Sequence, residues 1–296
     1  MDTSVLPAVR HVDRITTKVD HGPTAQADSS SIIIAPDNLR LIDPFLIMGE
    51  EWWRSPGFDW HPHRGIETVT VVLDGVLEHG DSLGNSGLLE AGDVQWMTAG
   101  RGVIHRELAF RNERVHVIQL WLNLPAAQKL VPTRYQDLRA GVQAHYTEPG
   151  VSVQVISGAS GSSIGPASNE WPILGLMLTL DPATTYQQML PASYRVFAHV
   201  ISGLLTVAGR PVRAGQTAWS DPVATDQAAA SVVELATPDG GEQTKVMLFA
   251  GQPLGEPVVL GGPFVMNSRA EIEQAFRDYH TGNFGPIPRL ARIRDR

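Results

Sequence analysis

HPHRGIETVTVVLDG (residues 61–75) and GDVQWMTAGRGVIHRE (residues 92–107) are the stretches on which the reading of this chain turns. In the first, His61 and His63 stand two apart; in the second, His105 and Glu107 repeat that spacing. Residues two apart on an extended strand project from one face, roughly 6.6 Å apart along the backbone. Folded against each other, the two pairs gather three imidazoles and a carboxylate around one point. Such a donor set suits a divalent transition metal: Fe(II), Mn(II), Ni(II), Cu(II) or Zn(II). It also leaves octahedral positions open to water, O2 or a bidentate ligand, which favours a reactive centre over a closed structural one.

The sequence around these pairs reads as sheet. ETVTVVL (67–73), VLEH (76–79), GLLEAGDVQWM (87–97), VIHREL (103–108) and VHVIQLWLNL (115–124) are short, rich in Val, Ile, Thr and Trp, and bounded by Gly, Asp or Asn. IIIAP (32–36) and LRLIDPFLIMG (39–49) precede them. VSVQVI (151–156), WPILGLMLTLD (171–181), YRVFAHVISG (194–203) and KVMLFAG (245–251) follow. Runs of this length point to β-sandwiches or barrels rather than βαβ units. Residues 125–148 are more helix-compatible, though Pro132 limits a helix there, and read as a connection. Near the end, Ile272, Phe276 and Tyr279 recur at i, i+4, i+7 behind an Asn267 or Ser268 cap, with Glu271 placed for a capping box with Ser268. That spacing predicts one amphipathic helix over about residues 269–280.

An internal repeat divides the chain. LDGVLEHG (73–80) aligns with ISGLLTVAG (201–209), and LEAGDVQW (89–96) with VRAGQTAW (212–219), pairing Gly75 with Gly203, Gly92 with Gly215 and Trp96 with Trp219. Counted without gaps, His61, His63, His105 and Glu107 fall on Met189, Pro191, Ala228 and Ala230. The expectation is a metal-binding domain over residues 1–135 and a second, ligand-free domain over 136–296 that carries the helix.

The carboxylate is ambiguous on residues alone. The Arg64-Gly65-Ile66 spacer could carry Glu67 to the start of the next strand, where it would ligate and leave Glu107 as an acid or base. His79 reads as a strand-end residue, near enough to sit at the mouth of the site. Trp52, Trp53, Trp60 and Trp96 offer walls for an aromatic pocket, although each by itself fits core packing.

Bulk properties narrow the classes. A 43% hydrophobic, 18% charged chain folds around a core. A net charge of −8 disfavours direct nucleic-acid binding, and the basic RLARIRDR tail (289–296) reads as a solvated end. The absence of cysteine excludes thiolate ligands and disulfides. Nothing resembles a secretory signal or a membrane span, so a soluble, cytoplasmic protein is expected.

At HPHRGIETVTVVLDG, HGDSLGNSG, GDVQWMTAGRGVIHRE and EPVVLGGPFVMNSRAEIEQAF the chain resembles the pirin family of the cupin superfamily. The similarity runs from about LIDPFLI to the C-terminal helix. Two departures stand out: Arg106 replaces a small polar residue between the second ligand pair, and MGEEWWRSPG replaces the usual acidic-aromatic approach to the first. The resemblance implies an all-β bicupin, two stacked antiparallel β-barrels or sandwiches of jelly-roll type with a short C-terminal helix. It implies one divalent ion, Fe(II) ahead of Mn, Ni, Cu or Zn, in the N-terminal domain on His61, His63, His105 and Glu107. It further implies a quercetin 2,3-dioxygenase-like oxidoreductase that opens a flavonol with O2, with Glu107 as base and Glu67 in reserve. The other function known among such proteins is an iron- and redox-sensing interaction with a protein partner, a transcription factor or metabolic enzyme.

Overall fold

A computed structural model of the chain describes residues 7–54, 57–223 and 229–287. The chain divides into two compact units. One comprises Val19–Val142 and the C-terminal stretch from Leu254; the other comprises Gln143–Pro253 and the N-terminal stretch ending at Lys18. This differs from a single cut at residue 135. Strands Ala8–Val9 and Arg14–Thr17 pair with Ala230–Ala236 and Gln216–Ser220, which places them in the second unit. The C-terminal helix buries Ile272 and Ala275 in a cluster with Ile104, Phe264 and Phe284 of the first. Each unit thus takes its last strands or helix from the far end of the sequence, a placement that no composition shift announces.

In the first unit a seven-stranded antiparallel sheet runs in the order Arg134–Leu138, Val94–Thr98, Ile66–Asp74, Val115–Asn123, Phe45–Trp53, Ser29–Ile34, Val19–Gly22. A four-stranded sheet, Phe58–His63, Val103–Ala109, Val76–Asp81, Ser86–Glu90, faces it. Trp53, Val72, Val115 and Val117 from the larger sheet pack against Leu77, Leu89 and Ala109 from the smaller. Removing such side chains from water contributes roughly 1.5–3 kcal/mol each and fixes which face of every strand is inside.

The second unit repeats the plan with a seven-stranded and a five-stranded sheet. Its core includes Val153, Leu176, Val246 and Leu248 against Tyr186, Leu190, Val233 and Leu235. The repeat is visible in the backbone: Gly75 and Gly203 make corresponding turns at φ +78° and +88°, a region that L side chains rarely adopt. Trp96 and Trp219 are both buried.

The ungapped count through the repeat needs correction. Along Thr185–Pro191 the inward residues are Tyr186, Gln188 and Leu190, so Met189 and Pro191 point outward. Their ladder partners are Val232 and Ala230, whereas His61 pairs with His105. Loops of different length shift the count, and a shift by one reverses the face. Ala228 lies outside the described residues, as does the 289–296 tail. The inward ladder positions hold Gln188, Leu190, Ser231 and Val233.

Residues 125–148 also differ from a plain connection. They carry short helical turns and two strands, Arg134–Leu138 at the edge of the first unit's large sheet and Ala144–Glu148 at the edge of the second's. The predicted helix is present at Arg269–His280, with Ser268 as its N-cap.

Candidate metal centre

His61 and His63 come from the C-terminal end of the Phe58–His63 strand, and His105 sits opposite His61 on Val103–Ala109. Alternation sends all three rings to one side. Ring centroids lie 4.9 Å (His61–His63), 4.3 Å (His61–His105) and 5.0 Å (His63–His105) apart, and one ligand atom from each falls within 4.8 Å of the others. The backbone sets two of the rings: His61 Nδ1 is 2.7 Å from Asp59 O and His63 Nδ1 is 3.2 Å from Pro263 O. Such contacts leave Nε2 of each ring turned to the cluster.

The fit to a metal is testable on these atoms. His63 Nε2 and both ring nitrogens of His105 are buried without a hydrogen-bond partner, a costly arrangement unless an ion takes their lone pairs. Burial, aided by the neighbouring His61, pushes the His63 pKa down to about 3, and burial with His61, His63 and His79 lowers that of His105 well below its ordinary value. Both rings are therefore neutral, as ligation requires.

The cluster opens onto a cavity of about 300 Å³. Its walls include Ile47, Trp53, Phe58, Val117 and Trp121, with Glu51, Gln119 and Glu107 as polar groups. Trp121 meets His63 edge to face at 4.9 Å. Two strand faces supply most of this: Ile47, Gly49, Glu51 and Trp53 on one strand, Val117, Gln119 and Trp121 on its neighbour. The period of two is plain in the sequence, and it is the only signal by which Glu51, Gln119 and Trp121 could have been found.

Neither candidate carboxylate joins the histidine cluster at 4.8 Å. Glu107 lies on the cavity wall, where Oε1 accepts from Thr70 Oγ1 at 3.2 Å and Gln119 Nε2 donates to both oxygens at 3.0 and 2.9 Å. Glu67 is buried, accepts from Thr98 Oγ1 at 2.7 Å, and does not line the cavity. Arg106, between His105 and Glu107, alternates to the other face, where it pairs with Glu78 at 2.7 Å beneath Trp60. Its charge is thus directed away from the cluster rather than beside it. His79 bonds Asp137 at 3.2 Å in a separate polar cleft with Tyr135 and Asn85. Of the tryptophans expected near the site only Trp53 lines the cavity; Trp52 stacks on His116, and Trp96 is core.

Two β-sandwich domains, one holding a three-histidine cluster at a cavity, define a two-domain cupin with a candidate metal centre. The profile described as Pirin matches residues 34–122, and that of the Pirin C-terminal cupin domain matches residues 175–285. The chain is 41% identical to Pirin-1 of Arabidopsis thaliana over 248 residues, covering 83% of this chain and 85% of that one. It is 42% identical over 264 residues to a Pseudomonas aeruginosa protein called "Putative quercetin 2,3-dioxygenase PA3240", covering 84% of this chain and 90% of that one. A solved structure of quercetin 2,3-dioxygenase from Acinetobacter baumannii superposes with a TM-score of 0.84 at 29% identity, covering 95% of this chain and all of that one. The chain belongs to the pirin family.

Proposed function

We propose that the protein is a metal-dependent dioxygenase of the quercetin 2,3-dioxygenase type, acting on a flavonol or a related aromatic hydroxy-ketone with O2. The observation that carries this reading is the coincidence of a three-histidine cluster, with ring nitrogens of His63 and His105 buried without partners, and an apolar, aromatic-walled cavity between the two sheets of one unit. The likeness to proteins named for quercetin 2,3-dioxygenase activity supports it.

His61, His63 and His105 would hold the ion, with Glu107 on the cavity wall as the fourth ligand and its carboxylate held by Gln119 and Thr70. Iron(II) is the ion we assign; it supplies Lewis acidity toward the hydroxy-ketone and electrons for O2. The protein's own contribution is positional. Trp53, Phe58 and Trp121 bracket a planar ring, while Ile47 and Val117 exclude water from its apolar edge. Gly49, without a side chain, leaves the wall between them open for the ring.

The test is reconstitution with iron under argon followed by admission of O2 in the presence of quercetin. Coupled oxygen uptake and carbon monoxide release are expected. Fully iron-loaded protein that gives neither would rule the reading out.

A further inference from the structure

We propose that Glu51 is the catalytic base of this cavity, taking the hydroxyl proton of a hydroxy-ketone as that ligand chelates the centre. The proposal rests on the metal–hydroxy-ketone reading above and adds to it a residue that neither histidine pair points to.

Four observations place the role there. Glu51 lines the cavity on the same strand face as Ile47, Gly49 and Trp53, so its carboxylate shares the space a ligand would fill. A Cβ added to Gly49 would find Glu51 Oε1 at 4.0 Å and otherwise only Ser31 O at 3.8 Å, so the carboxylate extends over a bare stretch of wall. Among the described residues it accepts one long hydrogen bond, from Ser30 Oγ at 3.5 Å. Its neighbours are committed elsewhere: Glu107 accepts from Thr70 and Gln119, Glu67 from Thr98, and Glu50 faces His116 at 3.0 Å. Glu51 is the cavity carboxylate with lone pairs to spare.

The surrounding charge suits a base. Glu107 approaches from the Val103–Ala109 strand, and His61 and His63 from Phe58–His63; Ser30, Val117 and Gln119 on the flanking strands are uncharged. No cation pairs with Glu51 among the described residues. Burial, reinforced by Glu107, pushes its pKa up to about 7. A carboxylate raised by burial takes and holds a proton better than an ordinary glutamate. A Glu107 that ligates the ion is less able to do both tasks.

The step balances without any redox partner. The ligand O–H bond breaks, its electron pair remains on the ligand oxygen, and the proton forms a bond to Glu51. When the product leaves, the proton returns to solvent through the cavity mouth.

The experiment counts protons. Protein loaded with zinc, which is redox-inert, is titrated anaerobically at about pH 8 with quercetin, and separately with the small hydroxy-pyranone maltol. Calorimetry in buffers of different ionisation enthalpy gives the protons released, and the ligand's anionic absorption band confirms its state. Wild type should release clearly less than one proton per ligand bound, because the ligand anion beside Glu51 raises the carboxylate's affinity for the proton further; Glu51→Gln should release about one and bind about tenfold more weakly. Glu51→Asp should fall between them. Equal proton release from wild type and Glu51→Gln would overturn the proposal, and so would loss of zinc from Glu51→Gln, which would make Glu51 a support of the centre instead. Maltol binding without quercetin binding would overturn the flavonol reading while the maltol proton count still decides on Glu51. Binding of neither ligand would overturn both.

Discussion

Three imidazole nitrogens buried without partners, Nε2 of His63 and both of His105, are an unstable arrangement in the metal-free protein, and the titration of these rings gives that instability a pH window. His63 has an ordinary pKa of 6.5 when the chain is unfolded and about 3 when folded. Between those values the unfolded state binds the extra proton, so folding stability falls as pH drops below about 6.5. The slope for one such group is about 1.4 kcal/mol per pH unit, and His105 acts in the same direction. Urea unfolding of apo protein between about pH 7 and 5 should show it, with a flatter response in His63→Leu. A pH-independent midpoint would mean that these rings are not held neutral. Gln119 offers a second check, because it anchors both oxygens of Glu107. Gln119→Leu should weaken metal affinity about 10- to 100-fold in a competitive chelator titration. Unchanged affinity would remove Glu107 from the ligand set. The histidine pairs were legible because alternation and spacing are local properties of a strand. Glu51, Gln119 and Trp121 were not, since each looks like an ordinary strand residue until strand pairing sets Glu51 beside Val117 and Gln119 beside Gly49.

Among the elements, the strands around the site were readable from β-branched runs and Gly punctuation, but the pieces that brace them were less so. Lys129 sits in what reads as a connection, yet its Nζ is buried and donates to Gly65 O, Asn123 Oδ1 and Val265 O at 2.8, 2.6 and 2.9 Å. It ties the turn after His63 to the Phe264–Met266 strand, where an added Cβ at Gly65 would come within 2.0 Å of Val265 O. Lys129→Met should cost about 2–4 kcal/mol, because three buried oxygens lose their donor. A thermal melt at unchanged midpoint would contradict that. The C-terminal helix was placed correctly from its cap and period. Its destination was hidden, because Arg64, which bonds Asp278 at 2.7 Å and lies over Phe284, carries no periodic signal. Ser268→Ala, which removes the cap on Glu271 N, should cost about 1 kcal/mol.

Across the whole molecule, the all-β architecture was visible in short Val-, Ile- and Thr-rich runs, and its duplication in turn glycines and paired tryptophans. The unit boundaries were not visible, since the chain's two ends are assigned by long-range pairing rather than by composition. The inward positions of the second unit carry Gln188, Leu190, Ser231 and Val233 where the first carries its histidine cluster, and Tyr146, Ser160 and Tyr186 link hydroxyls around Gln188. Among the described residues the histidine cluster thus belongs to one half of a duplicated fold. The most direct test is the metal content per chain of wild-type protein and of the double variant His61→Ala/His105→Ala, each confirmed folded by circular dichroism. About one ion per wild-type chain and almost none in the variant is the predicted result. Two ions per chain, or a full ion retained by the folded variant, would contradict the account.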